Sequence, residues 1–193
     1  ESLQGEVYNT GMAAVVIRLG KCNLACAWCD TDYLTFQSMS LQDIHACLKN
    51  YTARNIIITG GEPTIQPHLE TLLDSLKAAG YKLCIETNGL NPVPPQIDYI
   101  ATSPKACYAE KYQKQCIEEA DEVRIVADGD VLAFCEAMER KIRAKHYYLS
   151  PCEQNGEMNI YDTIRQIGLL NSRSDAPVHW QLSGQTHKWA GIE

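Results

Sequence analysis

Ala13-Ala14-Val15-Val16-Ile17-Arg18-Leu19-Gly20-Lys21-Cys22-Asn23-Leu24-Ala25-Cys26-Ala27-Trp28-Cys29 sets out the plan of the chain: an apolar run turns at a glycine into three closely spaced cysteines. The run from Ala13 to Leu19 has the β-branched content of a buried strand. The cysteines follow in a C-x3-C-x2-C spacing. A [4Fe–4S] cube normally takes four thiolates, so three would leave one iron without a protein ligand and open to a small molecule. Structural zinc remains a second reading of the same residues. It asks for four tetrahedral ligands, usually from two paired motifs, and the chain has no second C-x2-C. His45 and Cys47 lie downstream in a predicted helix. A disulfide is disfavoured, because nine cysteines in a chain without an export signal read as a protein of a reducing compartment. Cys47, Cys84, Cys107, Cys116, Cys135 and Cys152 lack ligand spacing and read as small packing residues.

Outward from that stretch, short β-rich runs alternate with longer helical ones. Strands are expected at Ala13–Leu19, Asn55–Thr59, Tyr81–Glu86, Ile97–Thr102, Glu122–Val126 and His146–Leu149, with a weaker seventh at Val178–Leu182. Helices are expected at Leu41–Asn50 behind Ser40 as N-cap, at Pro67–Ala79 stopped by Gly80, and at Asp130–Ala144. Two less regular ones are expected at Lys111–Ala120 and Ile160–Leu170. The alternation implies parallel strands with right-handed crossovers. An eightfold barrel takes about 250 residues, so the expected fold class is α/β, a shortened, partial barrel of about six parallel strands in one domain over 1–193. The chain opens on Glu1 rather than Met, and an upstream stretch is expected to be missing.

In parallel α/β folds ligands gather at the carboxyl ends of the strands. The chemically notable residues fall there: the cysteine loop after the first strand, Gly60-Gly61-Glu62-Pro63 after the second and Glu86-Thr87-Asn88-Gly89 after the third. Ser103-Pro104-Lys105 follows the fourth, and Ser150-Pro151-Cys152 the sixth. Each taken alone is an ordinary turn sequence. Composition is that of a globular protein, with 45% hydrophobic and 21% charged residues. A net charge of −7 speaks against a broad nucleic-acid surface, and no apolar run is long enough for a membrane span. A cytoplasmic enzyme of a small-molecule substrate is expected.

Cys22-x3-Cys26-x2-Cys29 after a strand, with Gly60-Gly61-Glu62-Pro63 after the next, resembles the radical S-adenosylmethionine superfamily. Further pieces resemble one of its member families, the 7-carboxy-7-deazaguanine synthases: Ser2-Leu3-Gln4-Gly5-Glu6, Ile17-Arg18-Leu19, Trp28-Cys29-Asp30-Thr31, Thr59-Gly60, Ser103-Pro104-Lys105 and Gln185-Thr186-His187-Lys188. The resemblance spans essentially the whole chain. It implies conversion of 6-carboxy-5,6,7,8-tetrahydropterin to 7-carboxy-7-deazaguanine plus ammonia, a ring contraction driven by a 5′-deoxyadenosyl radical, in 7-deazapurine and queuosine biosynthesis. It implies a carbon–nitrogen lyase with a [4Fe–4S] cluster, S-adenosylmethionine and Mg²⁺ as cofactors, a homodimer, and an electron donor such as flavodoxin.

Carried onto this sequence, the resemblance gives the cluster to Cys22, Cys26 and Cys29 and the Mg²⁺ to the Thr31 hydroxyl. It gives the substrate to Leu3, Gln4, Gly5, Glu6, Arg18, Thr59 and the terminal Glu193. The S-adenosylmethionine contacts would be Trp28, Cys29, Asp30, Gly61, Glu62, Glu86, Ser103, Pro104, Lys105, Ser150, Pro151, Cys152 and Glu153. Arg18 has a planar fork suited to a carboxylate, though a structural partner such as Glu6 could satisfy it instead. Glycines at 60 and 61 permit close backbone approach to a ligand. Val7 stands where the family usually has glycine. A β-branched residue enters the left-handed region only at a cost, so a first loop of different shape is expected. Two other readings stay open on sequence: a radical activase of a glycyl-radical enzyme, and a non-catalytic zinc-binding module.

Overall fold

The strands form because their apolar positions alternate with period two against helices on one side and a polar interior on the other. The computed structural model describes residues 1–154, 156–186 and 191. In chain order its elements are β1 (Ser2–Leu3), β2 (Ala13–Leu19), α1 (Leu41–Leu48), β3 (Asn55–Gly60), α2 (Leu69–Ala78), β4 (Lys82–Thr87) and β5 (Tyr99–Thr102). Then come α3 (Ala109–Lys114), β6 (Glu122–Ala127), α4 (Leu132–Lys141), β7 (His146–Pro151), β8 (Glu153–Gln154), β9 (Glu157–Met158), α5 (Ile160–Asn171) and β10 (Trp180–Leu182).

One 8-stranded sheet runs in the order β1-β2-β3-β4-β5-β6-β7-β10. Every pairing from β2 to β10 is parallel, and β1 adds on antiparallel at the edge. The sheet is open, with β1 and β10 at its two ends. The partial barrel expected from the alternation is therefore present. It has seven parallel strands rather than about six, since the weak run ending at Leu182 does pair with β7. Two elements were invisible in the sequence, the two-residue edge strand β1 and the β8–β9 hairpin. Both are too short to carry a period-two pattern.

Val15, Ile56, Ile58, Leu83 and Ile85 point outward and pack on Leu69, Leu72, Leu73 and Leu76 of α2. Val123, Ile125, Tyr147 and Leu149 do the same against Phe134, Met138, Leu170 and Trp180. Each fully buried Leu or Ile contributes roughly 1.5–3 kcal/mol to this outer layer. Ser40 caps α1 in a reciprocal box with Asp43, and Gly80 ends the α2 segment at φ 83°. The alternate positions point inward: Arg18, Thr59, Glu86, Arg124 and Ser150 all face the interior cavity.

The N-terminal segment lies across the inner face. It is tied back on itself by Gln4 N donating to Met12 O at 2.8 Å and Gly11 N to Gln4 O at 2.8 Å. Gln4 reaches Glu86 of β4, Glu6 pairs with Arg124 of β6, and Tyr8 stacks on His146 at 4.3 Å. Gly5 O also accepts from Thr186 N at 2.8 Å, joining the chain beyond β10 to the β1 side of the open sheet.

Val7 corrects one expectation. It adopts the left-handed conformation itself, at φ 57°, so the loop keeps the shape a glycine would give. The turn is enforced from both sides. Thr10 donates N–H and Oγ1 to Val7 O at 3.2 and 2.6 Å, and Tyr8 N donates to Glu122 Oε2 at 3.3 Å. A left-handed L-residue costs about 1–2 kcal/mol, partly offset by the greater backbone entropy that glycine loses on folding. Val7→Gly should therefore raise stability by about 0.5 kcal/mol, read as a higher urea midpoint at unchanged slope.

Candidate active site

The cysteine loop begins where β2 stops, and its root is packed against the end of β3. Gly61 N donates to Leu19 O at 2.9 Å, and Glu62 N to Lys21 O at 2.8 Å. A Cβ at Gly60 would overlap the Leu19 backbone, and one at Gly61 would overlap Lys21 O. The glycine pair thus serves a close approach of protein to protein, where the sequence suggested approach to a ligand. Gly61 nevertheless lines the cavity.

Three other strand ends hold the loop. Asn23 Oδ1 accepts from Asn88 Nδ2 at 2.7 Å, Ala25 N donates to the Tyr108 hydroxyl at 3.0 Å, and Trp28 Nε1 donates to Asp128 Oδ2 at 2.8 Å. Cys22, Cys26 and Cys29 consequently stand on one wall of a cavity of about 1010 Å³. All three are free thiols. Burial raises the Cys22 thiol and pushes Cys26 up to about 12, against the pull of nearby Lys105. Iron binding removes such protons outright. Three free thiols lining one cavity suit an iron–sulfur cube, which takes each thiolate at a different iron.

Lys105 stands over the Trp28 ring at 5.2 Å and donates to Ser103 Oγ at 2.7 Å; its burial lowers the ammonium pKa. Beyond them Ser150 and Ser183 line the cavity with buried hydroxyls that have no partner among the described residues. Unpaired buried hydroxyls in a cavity wall fit a polar ligand. Pro151, Cys152 and Glu153 continue this wall beside Ser150.

On the opposite side Glu86 accepts from Gln4 Nε2 at 2.9 Å and from Thr59 Oγ1 at 2.8 Å. Glu86, expected among the S-adenosylmethionine contacts, is grouped by these bonds with Gln4 and Thr59. Leu3, Gly5 and Glu6 complete that side. Arg18 Nη1 donates to Thr31 Oγ1 at 3.5 Å, and Asp30 lines the cavity next to them. Glu6, the structural partner considered for Arg18, pairs instead with Arg124. Burial pushes Arg124 down to about 10, still charged at neutral pH. Arg124 and Ser183 were missed in the sequence. The inward phase of Glu122-Val-Arg-Ile-Val was the available signal for Arg124; nothing marked Ser183.

Two expected contacts lie off the cavity wall. Pro104 is buried and does not line it. Glu62 is wholly buried. Its Oε1 accepts from Thr64 N at 3.0 Å, Thr64 Oγ1 at 2.7 Å and Thr87 Oγ1 at 2.7 Å, and its Oε2 from Asn88 N at 2.7 Å. Both oxygens are committed to holding the ends of β3 and β4 together, so the side chain has no contact left for a cofactor. Glu193 and His187 fall outside the described residues.

Residues 16–108 match the Radical SAM superfamily. The 7-carboxy-7-deazaguanine synthase of Neisseria meningitidis serogroup B is 81% identical over 193 residues, covering 100% of this chain and 91% of that protein. The enzyme of the same name from Haemophilus influenzae is 58% identical over the same shares. Among solved structures, that of QueE from Escherichia coli superposes with a TM-score of 0.66 at 28% identity, over 96% of this chain and 91% of that one.

Glu62→Gln is isosteric but must turn an amide N–H₂ toward a backbone N–H at one end. It should cost about 2 kcal/mol, seen as a lower unfolding midpoint.

Proposed function

The chain belongs to the 7-carboxy-7-deazaguanine synthase family, and on that premise we propose that it converts 6-carboxy-5,6,7,8-tetrahydropterin to 7-carboxy-7-deazaguanine and ammonia. One observation carries the reading at the site: the three-cysteine loop and the Gln4–Glu86–Thr59 edge face a single cavity of about 1010 Å³, with room for a cofactor beside a substrate.

When bound, the reduced [4Fe–4S] cluster and S-adenosylmethionine supply the radical that removes a hydrogen from the substrate. The protein's share is to hold, orient and exclude water. Cys22, Cys26 and Cys29 hold the cluster. Lys105, Ser103, Ser150 and the backbone at Gly61 flank the cofactor side of the cavity. Gln4 and Glu86 present an amide and a carboxylate to the donor and acceptor edge of a pterin. Arg18 and Thr31 stand together where the substrate carboxylate would lie. Arg18 would meet it with its fork, and Thr31 would offer its hydroxyl to a Mg²⁺, a cation that asks for only one or two protein oxygens. Glu193 is assigned to the same substrate. The electron comes from a donor protein such as flavodoxin, and the working form is a cytoplasmic homodimer. Among the described residues no helix is long and apolar enough to cross a membrane.

Anaerobic protein reconstituted with iron and sulfide should form 7-carboxy-7-deazaguanine from carboxytetrahydropterin, S-adenosylmethionine and a reductant. Absence of product under Mg²⁺-replete conditions overturns the reading, and stoichiometric zinc in place of iron would restore the binding-module alternative. Thr31→Ala should keep full iron and sulfide content and lose at least about tenfold of the Mg²⁺ stimulation. An unchanged Mg²⁺ response would remove Thr31 from its role.

A further inference from the structure

Beneath the substrate side of the cavity lies a carboxyl that none of the roles above uses. Glu122 opens β6, faces inward and is 1% exposed. Its Oε2 accepts from the Tyr99 hydroxyl at 2.8 Å and from Tyr8 N at 3.3 Å. Its Oε1 is buried without a protein partner among the described residues. Against it lies a second, small cavity of about 10 Å³, whose polar lining is Glu86, Thr102, Ser103, Glu122 and Arg124. That is close to the space of one water, and a buried water asks for the kind of polar lining these residues supply. Glu86, Ser103 and Arg124 also line the large cavity, so they form the wall between the two.

We propose that Glu122 is a positioning residue for ammonia loss, sharing one proton with Glu86 through a single water in the small cavity. The inference rests on the reaction assigned above. Loss of ammonia breaks a carbon–nitrogen bond; the nitrogen keeps the electron pair and takes up a proton. The ring double bond forms as a neighbouring carbon gives up a proton. One proton is delivered and one recovered, so a singly protonated carboxyl pair returns to its starting state without any oxidant or reductant. Glu86 faces the substrate and exchanges the proton. Glu122 is the member of the pair that holds the proton, because its burial, with the Glu86 charge beside it, disfavours its ionised form.

The surroundings of Glu122 support this. Burial pushes its carboxyl up to about 7; the Tyr99 hydroxyl and Tyr8 N–H pull it down, and Glu86 and Asp121 push it further up. Arg124 on the same strand is engaged with Glu6. His146 is its register partner on β7, Tyr148 faces it from the same strand, and Cys84 from β4. A raised carboxyl is protonated below its pKa, so activity should fall as pH rises through the ionisation.

The test compares wild type with Glu122→Gln, Glu122→Asp and Tyr99→Phe in product assays across pH, with an infrared titration of the neutral carboxyl band in wild type, Glu122→Gln and Glu86→Gln. Wild type should show a falling limb near neutral pH. Glu122→Gln should lose that limb and about tenfold or more in kcat, with KM little changed, and Glu122→Asp should restore the limb. Tyr99→Phe removes a hydrogen bond to the ionised form and should move the limb to higher pH. The band should vanish in Glu122→Gln and titrate at lower pH in Glu86→Gln, where a neighbouring negative charge is gone. An identical limb in Glu122→Gln, or a band unmoved in Glu86→Gln, overturns the proposal. Wild-type protein that makes no product overturns the assigned reaction instead, and the infrared titration, which needs no turnover, still decides whether Glu122 and Glu86 share a proton.

Discussion

The buried ion pair between Glu6 and Arg124 is the interaction on which the interior depends. An open sheet of seven parallel strands leaves an inner face that its own side chains cannot fill. Arg124 sits on that face as part of the period-two alternation of β6, with 19% of its side chain exposed toward the cavity. An unpaired guanidinium there would cost several kcal/mol. Its partner comes from the N-terminal segment and from no neighbouring strand. Pairing therefore pins residues 4–8 across the interior, and the rest of that side follows. Gln4 is carried to Glu86, Gly5 to Thr186, and Tyr8 to the Tyr99–Glu122–His146 group. The same pinning compels Val7 into a conformation that a β-branched residue does not choose.

Across the cavity the cysteine loop is held in a comparable way, by contacts from outside its own sequence. Its root is locked by Gly60 and Gly61, and its body by Asn88, Tyr108 and Asp128, each at or after the end of a different strand. The thiols are thereby presented on a fixed frame while each remains separately available. Glu62 connects the two halves of this frame by binding the ends of β3 and β4. Fixing the cysteine side and the Glu86 side of the cavity independently suits a reaction in which protein groups supply position and dielectric more than covalent chemistry.

Much of this was legible along the chain. Ala13–Leu19 is read to the residue, and Asn55–Gly60, Lys82–Thr87 and Glu122–Ala127 to within one at either end, because uninterrupted β-branched runs bounded by glycine or polar turns have few alternatives. The helix ends overshoot: the segment expected over Asp130–Ala144 is helical only from Leu132 to Lys141, since propensity does not mark where packing stops a helix. The cavity lining was foreseen for most site residues because strand ends in a parallel sheet share one edge. Glu62 and Arg124 belong to contacts between segments distant in sequence, and Ser183 follows β10 with no local pattern of its own.

The sequence by itself determined the class of fold, the three-cysteine loop and the set of strand ends that line the cavity, because those depend on periodicity, spacing and residue type. Only the tertiary structure decided which charge meets which. It tied the Glu62 side chain to Thr64, Thr87 and Asn88, gave Glu6 to Arg124 and left Arg18 beside Thr31. It also placed Glu122 one small cavity away from Glu86. Partner choice among buried polar groups follows from distances and desolvation in the folded interior, and no spacing along the chain encodes them.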